Sequence, residues 1–181
     1  MKRLIYLLPV AGFAVIAFFM FRSLTAPAPN LLPSALINKP APAIALAAMD
    51  GAIPPFTSAD LASGHVTVVN YFASWCVPCR MESDQLMALS KEPGLALYGI
   101  DYEEHEPGAG RAFLNELGNP FSRIVADANG TEGMEWGVYG VPETYVVDGK
   151  GIVRFKLVGP LTQDALTNQV LPAIEKAKLA S

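Results

Sequence analysis

Two cysteines separated by two residues stand between a predicted strand and a predicted helix, and this arrangement constrains the fold most. Cys76 and Cys79 are the only cysteines in the chain. The preceding segment, Val66–Phe72, is rich in β-branched and aromatic residues, as is typical of a buried strand. Residues 81–91 contain no proline or glycine and predict a helix. A Cys-X-X-Cys pair at such a step favours a redox-active dithiol.

Two other uses of the pair fit the sequence less well. A zinc site would need two further ligands, and the only histidines, His65 and His105, lie far apart in the chain. A purely structural disulfide would close a loop so small that it constrains the unfolded chain little. Redox chemistry is therefore the favoured function, and the sequence predicts no metal site and no bound cofactor.

The position of each cysteine predicts its role. Cys76 stands where unpaired N–H groups and the positive end of the helix dipole stabilise a thiolate. Cys79 lies one turn inside the predicted helix. We therefore expect Cys76 to be the exposed nucleophile and Cys79 to be the second, resolving thiol.

The N-terminus carries a long apolar segment. Residues 4–21 contain no charge and are flanked by basic residues on both sides. That length suits a short transmembrane helix or the core of a signal peptide. The one small-X-small cleavage sequence, at residues 26–28, is followed by a proline, which should impede cleavage. Residues 1–24 are therefore interpreted as an uncleaved membrane anchor, and the basic N-terminus favours an exported domain.

Composition divides the rest of the chain into a tether and a domain. Residues 25–42 are rich in proline and alanine, which is typical of a semi-rigid tether, and residues 43–181 form the predicted domain.

The charge balance argues against nucleic-acid binding. Beyond Arg22, ten Lys and Arg oppose seventeen Asp and Glu, which gives a net charge of −7, and the basic residues form no stripe. The acidic run at residues 101–106 is interpreted as a solvated loop, and Asp101 as the end of a strand. Because an exported domain with no other cysteine does not depend on disulfides for stability, the pair is free to cycle.

The order of predicted elements indicates an α/β domain with a mixed sheet. Residues 43–46 and 53–56 flank a turn at Asp50-Gly51 and predict an N-terminal β-hairpin. Strands and helices then alternate to about residue 136. A second hairpin is predicted around residues 148–151, and a final helix follows Thr162.

These features resemble the thioredoxin fold. The strand–Trp-Cys-X-X-Cys–helix unit is followed about sixty residues later by Val141-Pro142 before another strand, and in that fold the proline is cis and lies against the active-site disulfide. Residues 137–144, Gly-Val-Tyr-Gly-Val-Pro-Glu-Thr, and residues 116–120, Glu-Leu-Gly-Asn-Pro, are similar to the DsbE/CcmG family. Over roughly residues 41–178, the resemblance predicts a thioredoxin fold with an N-terminal hairpin extension, preceded by one transmembrane helix.

The resemblance also implies site residues. General thioredoxins hold a buried aspartate six residues before the first cysteine, where this chain has Asn70. Glu82, three residues after Cys79, falls on the same helical face and is predicted to exchange protons with it. The predicted catalytic residues are Cys76, Cys79, Glu82, Pro142 and Glu143. The predicted substrate-binding residues are Trp75, Tyr139, Val141 and Pro142.

The resemblance further implies a function in cytochrome c biogenesis. The expected activity is reduction of disulfides in apocytochrome c or its maturation partners by a protein tethered to the bacterial inner membrane. Its domain would lie in the periplasm, and a membrane thiol reductant would keep the cysteines reduced. Two alternatives stay open: a related tethered thioredoxin that reduces another target, such as copper-site thiols, and a non-catalytic module that docks apocytochrome or haem.

Overall fold

The computed structural model describes residues 7–25 and 34–181, which belong to two compact units, Met1–Pro33 and Ser34–Ser181. In the first unit, helix α1 comprises Leu7–Thr25, and its side chains are exposed from residue 11 to residue 22. Across the residues described, no helix is both long enough and apolar enough to cross a membrane. The first six residues of the predicted anchor, and residues 26–33 of the predicted tether, lie outside the described residues.

The second unit is built on a six-stranded mixed sheet in the order β1-β4-β3-β2-β5-β6. Strand β2 is central, runs parallel to β3, and pairs antiparallel with β5. The strands are β1 (Ala47–Ala48), β2 (Val66–Phe72), β3 (Leu95–Tyr102), β4 (Arg123–Asp127), β5 (Glu143–Val147) and β6 (Val153–Val158). The helices are α2 (Ser58–Leu61), α3 (Val77–Met81), α4 (Ser83–Leu89), α5 (Ala109–Leu117), α6 (Thr131–Glu135), α7 (Gln163–Ala165) and α8 (Leu171–Ala180).

Every residue of β2 is buried, which explains its almost continuous apolar sequence. Because side chains alternate across a strand, Val68 and Phe72 pack in one core with the cysteines. Val69 and Tyr71 pack in a second core on the opposite face. Asn70 therefore points to the same face as the cysteines, as the predicted thioredoxin-like arrangement requires.

The predicted N-terminal hairpin is wrong. Strand β1 pairs antiparallel with β4, and the Ile124 amide donates to the Pro54 carbonyl at 3.0 Å. Residues 47–48, just after the first expected segment, and Pro54, in the second, therefore lie beside β4, which would otherwise be an unpaired edge of the sheet. In the turn between them, the Asp50 carboxylate accepts from the Ala52 amide and forms an ion pair with Arg111 of α5.

The predicted tether extends too far along the chain. The Asn38 amide donates to the Val153 carbonyl at 2.8 Å, and the Val153 amide donates to the Lys39 carbonyl at 3.0 Å. The Ala41 amide donates to the Gly151 carbonyl at 2.8 Å. Residues 38–41 are therefore part of the folded domain, lying against the start of β6.

The helix predicted after the cysteines is divided at Glu82. This residue ends α3 and precedes α4, with φ −94° and ψ −3°. The final helix also has an interruption near Pro172: α7 leads into a π-helical turn, Leu166–Val170, and Pro172 stands in the first turn of α8. The backbone stays helical through this turn, because the Leu171 amide donates to the Leu166 carbonyl five residues earlier, and the π-helical turn lies directly before a proline that has no N–H to donate.

Candidate active site

Cys76 and Cys79 form a disulfide at the start of α3. Cys76 is the N-cap of this helix, and its Sγ accepts a hydrogen bond from the Cys79 amide at 3.1 Å. Pro78 occupies the first turn, where the absence of an N–H costs nothing. In the reduced protein the same backbone donor stabilises a thiolate on Cys76, which supports the predicted role of this residue as the nucleophile.

The expected difference in exposure between the two cysteines is not present in the disulfide form. Cys76 is 3 % exposed and Cys79 is 2 % exposed. The side chains around them are the exposed ones: Trp75, Val77 and Met81 are 44 %, 68 % and 72 % exposed. The assignment of Cys76 therefore rests on its position at the helix start and on the bond from the Cys79 amide.

The peptide bond between Val141 and Pro142 is cis, as predicted. Pro142 immediately precedes β5, where Glu143 is paired with Tyr71. One further step along this antiparallel register brings Pro142 beside Phe72, four residues before Cys76. The proline and the cysteine pair therefore meet at the same end of the central strands.

Glu82 is completely buried. Its Oε1 accepts from the Asn70 side-chain amide at 3.0 Å, and its Oε2 accepts from the Leu161 amide at 2.6 Å. Burial nevertheless dominates and raises the pKa of Glu82 to about 7, against the lowering effect of these two bonds. A carboxyl group that titrates near neutrality one helical turn from Cys79 can accept or return a proton.

Glu143 is also buried, and its contacts hold the preceding loop. Its Oε1 accepts from the Tyr139 amide at 3.0 Å, while its Oε2 accepts from the Tyr145 hydroxyl and pairs with Lys156 Nζ, both at 2.9 Å. These contacts fix the segment that leads to Pro142. A direct effect of Glu143 on the thiols stays a prediction.

Two aromatic side chains of the predicted substrate-binding group are exposed near the site. Tyr139 is 72 % exposed, with Lys156 Nζ 4.4 Å from its ring centroid. The Trp75 indole donates to the Glu103 carbonyl at 3.0 Å and stacks on His105, with 5.4 Å between ring centroids. Val141 is half-buried and packs against both cores.

The sequence interpretation missed a pair of acids that holds the start of the active-site loop. Asp101 is 6 % exposed, and burial, followed by a hydrogen bond to Glu104, raises its pKa to about 8. Both Glu104 carboxylate oxygens accept from Ser74: one from its amide, the other from its hydroxyl at 2.6 Å. Part of the acidic run is therefore ordered against the chain two residues before Cys76, and the only sequence signal was its position after a buried strand.

Over residues 7–25 and 34–181, no group of three or more His, Cys, Asp and Glu side chains could hold a metal ion.

Comparison with known sequences gives consistent matches. The model of the AhpC/TSA family matches residues 37–156. Thiol:disulfide interchange protein HelX from Rhodobacter capsulatus is 42 % identical over 168 residues, which cover 93 % of this chain and 92 % of that protein. Thiol:disulfide interchange protein DsbE from Pseudomonas aeruginosa is 43 % identical over 176 residues, covering 97 % and 96 % of the two chains.

Solved structures support the fold. A secreted disulfide oxidoreductase of Mycobacterium tuberculosis, homologous to E. coli DsbE, aligns with a TM-score of 0.60 at 22 % identity, covering 71 % of this chain and 95 % of that one. A thioredoxin-family thiol:disulfide interchange protein from Chlorobium tepidum aligns with a TM-score of 0.59 at 24 % identity, covering 83 % and 99 %. At these identities the likeness establishes the thioredoxin-like α/β fold alone.

Proposed function

The chain belongs to the AhpC/TSA family and is a thiol:disulfide interchange protein of the DsbE type, and from this we propose that it reduces disulfides in apocytochrome c or in the proteins that mature it. The observation that carries the reducing direction is the buried carboxyl group of Glu82, one helical turn from Cys79. When ionised, it disfavours a second negative charge nearby and so raises the thiol pKa values. Because an unstable reduced form gives up its electrons readily, this favours a reductant over an oxidant.

The reaction proceeds in two exchanges. The Cys76 thiolate attacks one sulfur of the partner disulfide, and the partner's other sulfur leaves as a thiolate that takes a proton from water. Cys79 then loses its proton to Glu82 or water and attacks the Cys76 sulfur. This step releases the partner's second thiolate and leaves the Cys76–Cys79 disulfide that the structure shows. Two electrons pass to the partner, and a membrane thiol reductant returns them to the chain.

The substrate chain is proposed to bind beside Pro142. The exposed rings of Trp75 and Tyr139 offer apolar contact area around an otherwise buried disulfide. The backbone at Val141, next to the cis bond, would pair with an extended segment of the partner in a β-like manner.

The proposed location is the bacterial inner membrane, with residues 1–24 as a single anchor and the domain in the periplasm. The uncharged stretch of residues 4–21 supports this, as do the exposed apolar side chains of α1, among them Phe13, Ile16, Phe18 and Phe19. Cell fractionation tests it: the intact chain should sediment with membranes, and a mature N-terminus near Pro29 would show a cleaved signal instead.

Trapping of the mixed disulfide tests the substrate. The Cys79→Ala variant cannot complete the second exchange, so its Cys76 should retain the partner in a covalent complex that a reductant releases. The Cys76→Ala/Cys79→Ala variant is the matched control and should retain nothing. Recovery of apocytochrome c or a maturation protein is expected, whereas recovery of a copper-site protein would favour the alternative substrate. A Cys79→Ala variant that retains no protein at all would contradict the proposed function.

A further inference from the structure

Lys156 is a buried cation directed at the loop before Pro142. It lies on β6 opposite Tyr145 of β5, and only 6 % of its side chain is exposed. A buried ammonium group is stable only when its charge is paired and its hydrogens are accepted. The groups that satisfy Lys156 therefore show what it holds.

Three of the four groups around the Lys156 Nζ lie on one segment, residues 137–143, and the fourth is the ring of Tyr145, whose centroid is 5.3 Å away. Its Nζ donates to the Gly137 carbonyl at 2.7 Å and pairs with the Glu143 carboxylate at 2.9 Å. The same nitrogen lies 4.4 Å from the centroid of the Tyr139 ring, within the range of a cation–π interaction. Lys156 thus contacts both ends of the segment and the aromatic side chain between them.

The other backbone hydrogen bonds of this segment lie at its two ends: the Gly137 and Val138 amides donate to the Met134 and Gly133 carbonyls, and the Gly159 amide donates to the Pro142 carbonyl. Gly137 has a φ of +65°, and Tyr139, Gly140 and Val141 precede the strand without regular secondary structure. The Tyr139 ring is 72 % exposed, so one side of it rests on the ammonium group while most of its surface faces solvent. Glu143, paired with Lys156, accepts from the Tyr139 amide, which adds a second hold on the same residue.

We propose that Lys156 is a positioning residue, which fixes the Tyr139 ring and the backbone before Pro142 as the surface that receives the partner chain. This inference rests on the proposed function, because it assigns the partner to that loop. Lys156 acts through the loop on binding of the partner, and the exchange of disulfides itself remains with Cys76 and Cys79.

The test separates binding of a peptide from the reactivity of the dithiol. The variant Lys156→Met/Glu143→Gln removes both charges together, since removing only one would leave an unpaired buried charge. The matched control is Lys178→Met/Glu175→Gln, which removes an exposed lysine–glutamate pair on α8. Each full-length protein, in mild detergent and reduced, is assayed with two disulfide peptides, one with Cys-X-X-Cys-His and one of unrelated sequence, and with 2-hydroxyethyl disulfide.

Glu143→Gln alone is assayed beside the double variant, because that substitution is itself expected to alter the thiols. Compared with Glu143→Gln, loss of the preorganised binding surface in Lys156→Met/Glu143→Gln should raise the KM for peptide roughly tenfold, with kcat changed by less than about threefold. The control variant should match the wild type. A peptide KM equal to that of Glu143→Gln in the folded double variant would overturn the proposal. So would an equal further loss of rate with 2-hydroxyethyl disulfide, because the dithiol itself would then be perturbed.

A second substitution keeps the test decisive if the double variant does not fold. Tyr139→Leu changes an exposed side chain and should by itself raise the peptide KM. Where Lys156→Met/Glu143→Gln does fold, adding Tyr139→Leu to it should cause little further change in the peptide KM, since both changes act on one loop. Additive effects, or no effect of Tyr139→Leu, would contradict the proposal.

The two peptides distinguish this inference from the proposed function. If the wild type reduces both peptides equally, the proposed substrate is wrong, and the comparison between variants still tests Lys156. If the wild type reduces 2-hydroxyethyl disulfide but neither peptide, both the substrate and the role of Lys156 are overturned.

Discussion

Asn70 donates a side-chain hydrogen bond to Glu82 at 3.0 Å, joining the central strand to the break between α3 and α4. The asparagine occupies the position where general thioredoxins hold a buried aspartate, so here it supports an acid instead of supplying one. The same Asn70 nitrogen also donates to the Thr144 hydroxyl at 3.1 Å. The buried acid near the cysteine pair therefore stands at the break between α3 and α4 instead of on the central strand.

Burial of Glu82 should make the protein less stable as the pH rises. The pKa is about 7 in the folded protein and about 4.5 in the unfolded chain, so the folded state binds the extra proton between these values. The stability that the protonated Glu82 carboxyl group contributes is fully present below pH 4.5 and is lost as the pH rises through 7. Urea unfolding at pH 4.5 and pH 8.5 measures the free energy of unfolding. Between these two pH values it should fall by about 3 kcal/mol more in the wild type than in Glu82→Gln. An equal pH dependence in the two proteins would contradict the buried, shifted carboxyl group.

Glu82→Gln should also change the pKa and the reactivity of the cysteine thiols. Removal of the charge should lower a cysteine pKa, and loss of the proton acceptor should slow release of the mixed disulfide. Glu143→Gln should act more weakly, because the Glu143 charge is already paired with Lys156. Thiolate absorbance against pH and the rate of partner reduction measure the two effects. If the Glu82→Gln/Glu143→Gln variant matches wild type in both, neither acid tunes the pair.

Cys76 should react with iodoacetamide before Cys79 in the reduced protein. The bond from the Cys79 amide favours the Cys76 thiolate, and Cys79 lies inside the helix. Peptide mapping after partial alkylation locates the label, and Cys79→Ala should keep the rate of the fast reaction. Dominant labelling of Cys79 would reverse the assignment of nucleophile and resolving thiol.

Asp101 should produce a second loss of stability as the pH rises. Burial and the bond to Glu104 raise its pKa to about 8 from about 3.8, so the stability that its proton contributes is fully present below pH 3.8 and is lost as the pH rises through 8. Asp101→Asn cannot ionise but can still donate to Glu104, so its free energy of unfolding should fall less than that of the wild type between about pH 4 and 9. The exposed residue Asp84 provides the control substitution, Asp84→Asn. If the free energy of unfolding of the wild type and of Asp101→Asn depends on pH in the same way over this range, the raised pKa of Asp101 is refuted.

Local patterns predicted the parts of the site that depend on neighbours in sequence. The apolar strand, the Cys-X-X-Cys step and the i, i+3 spacing located Cys76, Cys79 and Glu82, and the structure confirmed that Glu82 faces inward. The cis bond before Pro142 was expected from the resemblance and is present.

The parts that failed depend on pairings between distant segments. Residues 43–56 contain a turn sequence, which predicts that the two flanking segments pair with each other. Nothing in these residues indicates that the edge of β4 is available, and β1 pairs with β4 instead. Lys156 alternates with apolar residues on β6, which is typical of a solvated face, and its partners lie 13 to 19 residues earlier in the chain. Asp101 and Glu104 similarly looked like members of an exposed acidic run.

The two tryptophans lie in different environments, so their fluorescence can be used as a probe of two different properties. Trp75 precedes Cys76 directly and is 44 % exposed, while Trp136 is fully buried in the second core. Reduction and formation of the disulfide should therefore alter the emission of Trp75, which an aqueous quencher can reach. The emission of Trp136 should change only when the second core unfolds. Intrinsic fluorescence with and without quencher thus follows redox state and folding as two separate signals, without a label.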